Sequence, residues 1–292
     1  MKIEGIFPAI TTPFDHEGNL YRAKVRHNIG LWNKTKLSGY VVCGSTGESV
    51  SLSSEEKIQL WEWVSEDAGP EKLLIAGTAA ESVRETVALT NRAAEIGYRA
   101  ALVRTPSYYK GLMSKPETQM LYFRAVADQS KIPVLLYNFP QLTGIDLSAE
   151  TVAELSNHPN IVGIKDSSGN FEKVIRMVRL AEEGFQVLVG SAPTVYSCLA
   201  VGASGSITAF ANVAPYAMIT IWEAFRTRDH EAALDWQNRI GEADYVLSAK
   251  HGIPGLKYAM DLKGYYGGPP RLPLSIPGPD AKREIESIVQ HL

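Results

Sequence analysis

Short apolar runs recur along most of the chain, and each is followed by polar, glycine or proline residues. Such runs, bounded by turn signals, are typical of strands that are buried on both faces of a parallel sheet. The predicted strands are residues 5–10, 39–43, 73–77, 100–103, 133–136, 161–164, 186–189 and 205–209.

The segments between these runs have the spacing and end signals of helices. Ser53 precedes Glu55 and Glu56, which predicts a capped helix start with an acidic first turn. The segment 82–96 ends at Gly97, and we predict an apolar face formed by Val83, Val87, Thr90 and Ala94.

The alternation of strand and helix signals predicts the fold. Strand ends recur about every 25 to 35 residues, the length of a strand–helix unit. Eight such units favour a (β/α)8 TIM barrel over an open sheet. Beyond residue 215 all signals are helical, with predicted loops at 252–254 and 264–279. We therefore predict a barrel over residues 1–215 and a helical extension over 216–292 that packs on it.

Composition narrows the class of protein. The chain has 292 residues, of which 45% are hydrophobic and 21% charged, as in ordinary globular proteins. Its net charge of -3 provides no basic surface for nucleic acid. Two cysteines do not form a disulfide framework, and neither a signal-peptide core nor a membrane-length apolar run is visible. We expect a cytoplasmic protein without nucleic-acid or membrane partners.

Chemistry in a TIM barrel lies at the carboxyl ends of the strands. Lys165 follows the predicted strand 161–164 directly. A lysine is rarely buried without a partner or a task, and desolvation lowers its pKa and frees an amine that can form Schiff bases. A salt-bridged lysine at a strand end is the alternative. The other strand ends contribute Thr11, Thr12, Ser45, Thr46, Tyr108, Tyr137, Ser191 and Ile207.

Tyr137 ends the strand that precedes Lys165 in the barrel order, so the two side chains should face each other at the barrel mouth. A phenol beside an amine can pass protons to and from a bound substrate. The alternative is a rim tyrosine whose hydroxyl group is simply satisfied.

The turn Gly44-Ser45-Thr46-Gly47 offers hydroxyl and backbone N–H groups that suit a carboxylate or phosphate, although an ordinary turn would have the same residues. It lacks the lysine of a P-loop. No two of the six histidines have metal-ligand spacing, and no G-x-G-x-x-G follows a strand. We therefore predict no metal and no dinucleotide cofactor, and we interpret His251 as a helix-end residue.

The motifs resemble those of the dihydrodipicolinate synthase and N-acetylneuraminate lyase family of pyruvate-dependent class I aldolases, over essentially the whole chain. The matching segments are Thr11-Thr12-Pro13-Phe14, Gly44-Ser45-Thr46-Gly47-Glu48, Thr105-Pro106 with Tyr108, Tyr137-Asn138, Pro140 with Thr143-Gly144, and Gly163-Ile164-Lys165-Asp166.

The resemblance implies specific roles for the candidate residues. It implies Lys165 as the Schiff-base lysine, Tyr137 as the proton shuttle, and Ser45 and Thr46 as binders of the pyruvate carboxylate. It implies that Tyr108 reaches a neighbouring subunit's site in a homotetramer built as a dimer of dimers, and that the Ile207 carbonyl lines the pocket.

One position departs from the synthase branch, in which an arginine grips the carboxylate of aspartate semialdehyde. Leu142 stands there in this chain and cannot pair with a carboxylate. Segments 108–114, 158–163 and 252–269 instead resemble 4-hydroxy-2-oxoglutarate aldolase, although Thr46 replaces the asparagine usual in that branch.

We therefore expect cleavage of 4-hydroxy-2-oxoglutarate to pyruvate and glyoxylate. The alternatives are the synthase reaction with aspartate semialdehyde, an aldolase or dehydratase acting on a deoxy-2-oxo sugar acid, and a catalytically silent 2-oxo-acid-binding protein.

Overall fold

The eight strands form one parallel sheet that closes into a barrel, as the sequence pattern predicted. The computed structural model describes all 292 residues. The order of hydrogen-bonded neighbours is β1-β8-β7-β6-β5-β4-β3-β2. The strands are β1 Gly5–Pro8, β2 Gly39–Val42, β3 Leu73–Gly77, β4 Ala100–Arg104, β5 Val134–Asn138, β6 Ile161–Asp166, β7 Gln186–Val189 and β8 Gly205–Thr208.

Hydrogen bonds between the first two strands close the ring. The Ile10 N–H donates to the Val41 carbonyl at 2.9 Å, and the Ser38 N–H donates to the Ile6 carbonyl at 2.9 Å. Alternate residues of the strands point inward and form a compact inner cluster that includes Phe7, Leu102 and Leu135. The outward residues form a larger cluster with the surrounding helices. The barrel is therefore filled with side chains, which leaves its mouth for binding.

Helices follow the strands and continue beyond the barrel. No helix in the structure combines the length and the apolar character that crossing a bilayer requires. The bounds are α1 Arg22–Trp32, α2 Ser54–Asp67, α3 Val83–Ile96, α4 Lys110–Met113, α5 Pro116–Gln129, α6 Pro140–Thr143, α7 Ala149–Ser156, α8 Phe171–Leu180, α9 Val195–Ala200, α10 Pro215–Arg226, α11 His230–Asp244, α12 Gly252–Leu262 and α13 Pro279–Val289. A π-helical segment, Tyr245–Lys250, joins α11 to α12.

The start of α2 has the cap that the sequence predicted. The Glu56 N–H donates to Ser53 Oγ at 3.2 Å, and the Ser53 N–H donates to the Glu56 carboxylate at 2.9 Å. This reciprocal pair satisfies two backbone donors that a helix start would otherwise leave free.

The predicted face of α3 was right only in part: Thr90 is buried and Val83 packs against the core, but Val87 and Ala94 are only partly buried. Its buried residues are Thr86, Leu89, Thr90 and Ala93. Threonines can occupy this face because their hydroxyl groups are satisfied inside the protein. Thr86 Oγ1 lies 2.9 Å from the Tyr122 hydroxyl group, and Thr90 Oγ1 lies 2.8 Å from Thr78 Oγ1.

The loop predicted at residues 252–254 was also wrong, because α12 begins at Gly252. Pro254 lies in the first turn of this helix, where its missing N–H breaks no intrahelical hydrogen bond. His251 is the residue before the helix, and its Nε2 lies 2.7 Å from Glu284 Oε2.

A buried ion pair ties the C-terminal helices to the barrel. Lys257 Nζ on α12 donates to Glu48 Oε1 at 2.7 Å, and both side chains are at most 1% exposed. The same ammonium donates to the Thr12 and Pro269 carbonyls, each at 2.9 Å. Burial lowers the pKa of Lys257, and the Glu48 carboxylate opposes that shift.

We expect Lys257→Met to destabilise the protein by about 3–5 kcal/mol, because it leaves the Glu48 carboxylate buried without a cation. Denaturant unfolding of both proteins measures the difference. Lys2→Met is the matched control: Lys2 pairs with Glu4 at 3.4 Å on the surface with 84% of its side chain exposed, and should change stability by less than about 0.5 kcal/mol. Equal effects of the two substitutions would contradict a stabilising role for the buried pair.

Candidate active site

Lys165 and Tyr137 adjoin at the barrel mouth. The register of β5 and β6 places Tyr137 opposite Lys165, and Lys165 Nζ lies 4.3 Å from the centroid of the tyrosine ring. Both residues are buried. The β6 carboxylate, Asp166, lies 3.5 Å from Lys173 instead, and Lys165 forms no ion pair. The structure therefore lacks the salt bridge that would give Lys165 a purely structural role.

A glycine on the neighbouring strand end leaves the space that Lys165 needs. A Cβ atom at Gly190 would lie 3.0 Å from Lys165 Cε and 1.9 Å from Ser167 Oγ. Any larger residue at position 190 would displace the lysine or the serine.

The turn after β2 presents polar groups toward Tyr137. The Tyr137 hydroxyl group donates to Ser45 Oγ at 3.3 Å. The N–H groups of Ser45 and Thr46 make no hydrogen bond within the chain, whereas the Gly47 and Glu48 N–H groups close the turn. Thr12 Oγ1 donates to the Gly47 carbonyl at 2.6 Å and holds the turn from below. Hydroxyl and free N–H groups in this arrangement suit a carboxylate.

Two residues to which the sequence interpretation gave no role hold the strand ends together. Asn138 and Asp166 directly follow Tyr137 and Lys165, and Asn138 Nδ2 donates to Asp166 Oδ1 at 2.7 Å. Asn138 Oδ1 accepts the Leu147 N–H at 3.0 Å, and Ser168 Oγ donates to Asp166 Oδ2 at 2.6 Å. Because both partners are buried, this network fixes the backbone from which the tyrosine and lysine project. In the sequence, these two residues could have been noticed because a polar residue directly follows both Tyr137 and Lys165 at the end of an apolar run.

The cavity above Lys165 has a volume of about 560 Å³. Strand ends and βα loops supply much of its wall, including Ser191, which the strand-end rule had selected. The C-terminal helices supply the remainder, which no rule about strand ends could identify. The lining residues are Ser45, Thr46, Tyr137, Phe139, Gln141, Leu142, Lys165, Ser167, Gly190, Ser191, Ala209, Asp244, Ser248, Ala249, Gly252, Ile253 and Leu256.

Four of the strand-end candidates lie outside this wall: Thr11, Thr12, Tyr108 and Ile207. Tyr108 is 79% exposed on the loop after β4, where its N–H donates to Glu81 at 2.9 Å. Its ring packs edge-on against Tyr109. Ile207 is fully buried in β8, and Ala209 forms the wall at that strand end. Within one chain, none of these four side chains reaches the cavity.

The cysteine thiols are poor nucleophiles in this fold. Burial raises the pKa of Cys43 to about 12 and that of Cys198 to about 11. Both thiols therefore remain protonated at neutral pH. No group of three or more histidine, cysteine, aspartate or glutamate side chains is arranged to hold a metal ion.

Leu142 lies on α6 at the cavity edge and is 63% exposed. Lys165 is the only lysine or arginine among the lining residues. An arginine does lie nearby: Arg104 lines an adjacent cavity that shares Ser45 and Leu142 with this one. Its guanidinium pairs with Glu81 at 3.2 Å, so its charge is already compensated.

Known proteins of one family match this chain over nearly its whole length. A sequence profile described as the Dihydrodipicolinate synthetase family matches residues 2–292. A 4-hydroxy-tetrahydrodipicolinate synthase from Methanothrix thermoacetophila is 38% identical over 274 residues, which cover 93% of this chain and 90% of that relative. The solved structure of a dihydrodipicolinate synthase from Bacillus anthracis matches with a TM-score of 0.95 at 29% identity, over 100% of this chain and 99% of that one.

A second solved structure contains a small molecule. The dihydrodipicolinate synthase from Acinetobacter baumannii, complexed with pyruvate, matches with a TM-score of 0.94 at 30% identity, and the match covers 99% of each chain.

Proposed function

The chain belongs to the dihydrodipicolinate synthetase family of pyruvate-dependent class I aldolases, and we propose that Lys165 and Tyr137 carry out its chemistry. The observation that supports this assignment is the buried, unpaired lysine 4.3 Å from the ring of a buried tyrosine. A silent 2-oxo-acid-binding protein would need neither group.

In the proposed reaction the unprotonated Lys165 amine attacks C2 of pyruvate, and loss of water gives an imine. The imine withdraws electrons, so a proton leaves C3 and an enamine forms. The enamine carbon then attacks the carbonyl carbon of an aldehyde, and hydrolysis of the new imine releases the product. Cleavage of a 4-hydroxy-2-oxo acid follows the same steps in reverse.

Tyr137 is suited to move the protons of these steps. Its hydroxyl group lies on the Ser45 side of the cavity, while its ring packs under the lysine amine. The phenol can donate a proton to the leaving water and accept one from the C4 hydroxyl group during cleavage. Ser45 and Thr46 would bind the pyruvate carboxylate through their hydroxyl and free N–H groups.

No metal takes part in this proposal, because the imine itself provides the electron sink and forms on a side chain of the protein.

The second substrate is the point on which the relatives and the site differ. The relatives' name, 4-hydroxy-tetrahydrodipicolinate synthase, supports condensation with aspartate semialdehyde over the cleavage to glyoxylate expected from the sequence. Against the synthase reaction, the cavity wall has Leu142 and no cation besides Lys165 to hold a second carboxylate.

Leu142→Arg tests whether the missing cation at this position limits the reaction with aspartate semialdehyde. We expect the substitution to raise kcat/KM for aspartate semialdehyde, because a charge-assisted hydrogen bond contributes about 1.5–3 kcal/mol, roughly a ten- to hundredfold effect. Condensation can be followed by coupling to dihydrodipicolinate reductase, and cleavage of 4-hydroxy-2-oxoglutarate by coupling to lactate dehydrogenase. Leu142→Met, which adds no charge, is the control. If the wild type already turns over aspartate semialdehyde efficiently and the arginine adds nothing, another residue holds the carboxylate and the synthase is the native reaction.

We also propose a homotetramer arranged as a dimer of dimers. Tyr108 and Tyr109, on the loop after β4, and Leu112, on the following α4, form an apolar patch, and each is more than half exposed. Burial of such a patch against a second copy would bring Tyr108 toward a neighbouring cavity. Sedimentation velocity at micromolar concentration should report a tetramer, and a fully active monomer would exclude a shared site.

A further inference from the structure

Arg104 extends the row of side chains at the barrel mouth by one strand. The register of β4 and β5 places Arg104 opposite Tyr137, just as the register of β5 and β6 places Tyr137 opposite Lys165. Ala100 and Leu102 of β4 belong to the inner cluster, so Arg104, two residues further on, lies on the inward side as well. Three neighbouring strand ends therefore carry an arginine, a tyrosine and a lysine side by side.

Arg104 lines a second cavity, of about 330 Å³, which adjoins the cavity above Lys165. The two cavities have four wall residues in common: Ser45, Phe139, Leu142 and Ile253. Arg104 is the only lysine or arginine in the wall of the second cavity, as Lys165 is in the wall of the first. An extended substrate bound at Lys165 could therefore place its far end beside the guanidinium.

The guanidinium of Arg104 has hydrogen-bond donors left for a ligand. Its Nη1 donates to the Thr105 carbonyl at 3.0 Å and to Ser107 Oγ at 3.3 Å, and its Nη2 donates to Glu81 Oε1 at 3.2 Å. A guanidinium has five N–H donors. These three contacts leave the Nε–H and one N–H of Nη2 without a partner in the chain.

The two carboxylates around Arg104 are held by other groups as well. Glu81 Oε2 accepts two backbone N–H groups, at 2.8 and 2.9 Å, so the bond to Arg104 orients the guanidinium without occupying it fully. Glu48 is the only acidic residue in the wall of the second cavity. Its Oε1 accepts from Lys257 at 2.7 Å, and its Oε2 accepts the Arg271 N–H at 2.8 Å. An incoming carboxylate would therefore find donors on Arg104 and no uncompensated anion.

The position of the guanidinium decides which carboxylate it can bind. Arg104 does not line the cavity above Lys165, where the imine would form. A carboxylate that reaches Arg104 must therefore be separated from the reacting carbon by a spacer. The carboxylate of glyoxylate is bonded directly to that carbon and would stay near Lys165. A carboxylate two or more carbons from the carbonyl carbon can enter the adjoining cavity.

On the basis of the proposed imine chemistry, we propose that Arg104 forms a subsite for the remote carboxylate of an aldehyde that carries this group two or more carbons from its carbonyl carbon. The guanidinium binds the carboxylate through its remaining N–H donors. The methylene groups of the aldehyde cross the shared wall at Phe139 and Leu142, which is apolar there. Arg104 thus supplies, from a different strand end, the cation that position 142 lacks.

Steady-state condensation of pyruvate with succinic semialdehyde and with butanal tests the subsite, because these aldehydes share a carbon skeleton and differ in a terminal carboxylate. We expect the wild type to prefer succinic semialdehyde in kcat/KM, with products measured by liquid chromatography and mass spectrometry. Arg104→Met should lower the ratio of the two kcat/KM values about ten- to a hundredfold, because it removes the charged donors and keeps an unbranched side chain. Arg104→Lys keeps the charge but not the fork of donors, and should lower that ratio less.

A third aldehyde and a second arginine serve as controls. Arg104→Met should leave the ratio of glyoxylate to butanal unchanged, because the glyoxylate carboxylate does not reach residue 104. Arg92→Met is the matched control for the substitution. Arg92 lies on α3, pairs with Glu62 at 2.9 Å and has 44% of its side chain exposed, so its loss should leave all of these ratios unchanged.

The alternative outcomes can be distinguished. A wild type without preference for succinic semialdehyde over butanal would overturn the subsite. An equal loss with all three aldehydes in Arg104→Met would also overturn it, since Arg104 would then only hold the loop after β4. If Arg104→Met does not fold, the same ratios in Arg104→Lys decide the question. Borohydride trapping of pyruvate on Lys165 should persist in both variants, whereas absence of trapping in the wild type would instead overturn the imine chemistry on which the subsite rests.

Discussion

Lys165→Ala should abolish both turnover and covalent capture of pyruvate. In the wild type, treatment with pyruvate and borohydride should reduce the imine and add the mass of a lactyl group to the tryptic peptide containing residue 165. Without the amine no imine forms. Because the imine is the electron sink that enamine formation requires, the reaction cannot proceed. Peptide mass spectrometry and a pyruvate-coupled assay on the same preparation measure both effects.

Lys165→Arg separates the role of the amine from that of the charge. A guanidinium keeps the positive charge beside Tyr137 but stays protonated, so it cannot act as a nucleophile. This variant should be as inactive as the alanine variant. Labelling of a different lysine, such as the buried Lys257, or retained labelling in Lys165→Ala, would show that the assignment of the imine is wrong.

Tyr137→Phe should retain imine formation and lose about 10²–10⁴-fold in kcat, the range typical of general acid–base groups. The phenyl ring can still pack beside the lysine, because the 4.3 Å contact involves the ring rather than the hydroxyl group. The hydrogen bond to Ser45 and the mobile proton are lost. Trapping with borohydride reports the imine, and steady-state kinetics report the loss of turnover.

The matched control for this variant is Tyr216→Phe. Tyr216 is 65% exposed on α10 and does not line the cavity, so removal of its hydroxyl group should leave kcat nearly unchanged. Near-wild-type turnover of Tyr137→Phe would leave Tyr137 as a tyrosine of the barrel rim with no part in proton transfer.

The barrel could be predicted from sequence because each strand is an apolar run buried on both faces. The strand order then placed Tyr137 beside Lys165, since carboxyl ends of neighbouring parallel strands meet at one edge. The same rule selected Ser191. These positions depend only on local pattern and on the regularity of the fold.

Asp244 and Ser248 could not be predicted in this way. They lie on helices far along the chain, and their approach to Lys165 depends on how those helices pack on the barrel. That packing rests partly on Lys257, whose partner Glu48 gives no sequence signal of being buried. The packing of these helices is not visible in the local sequence pattern, which also explains the error at residues 252–254. There a glycine and a proline indicated a loop, although tertiary contacts sustain a helix. For the same reason, the sequence could not show that Tyr108 and Ile207 lie outside the cavity wall of one chain.

The Glu48–Lys257 pair sets an order on biosynthesis. Glu48 directly follows the turn that carries Ser45 and Thr46, yet its ion-pair partner is encoded 209 residues later. On the ribosome, the barrel strands are therefore synthesised before this cation, and the ion pair can form only after α12 has left the exit tunnel. The contact between the turn proposed to bind pyruvate and the helices that close the cavity thus depends on the last quarter of the chain.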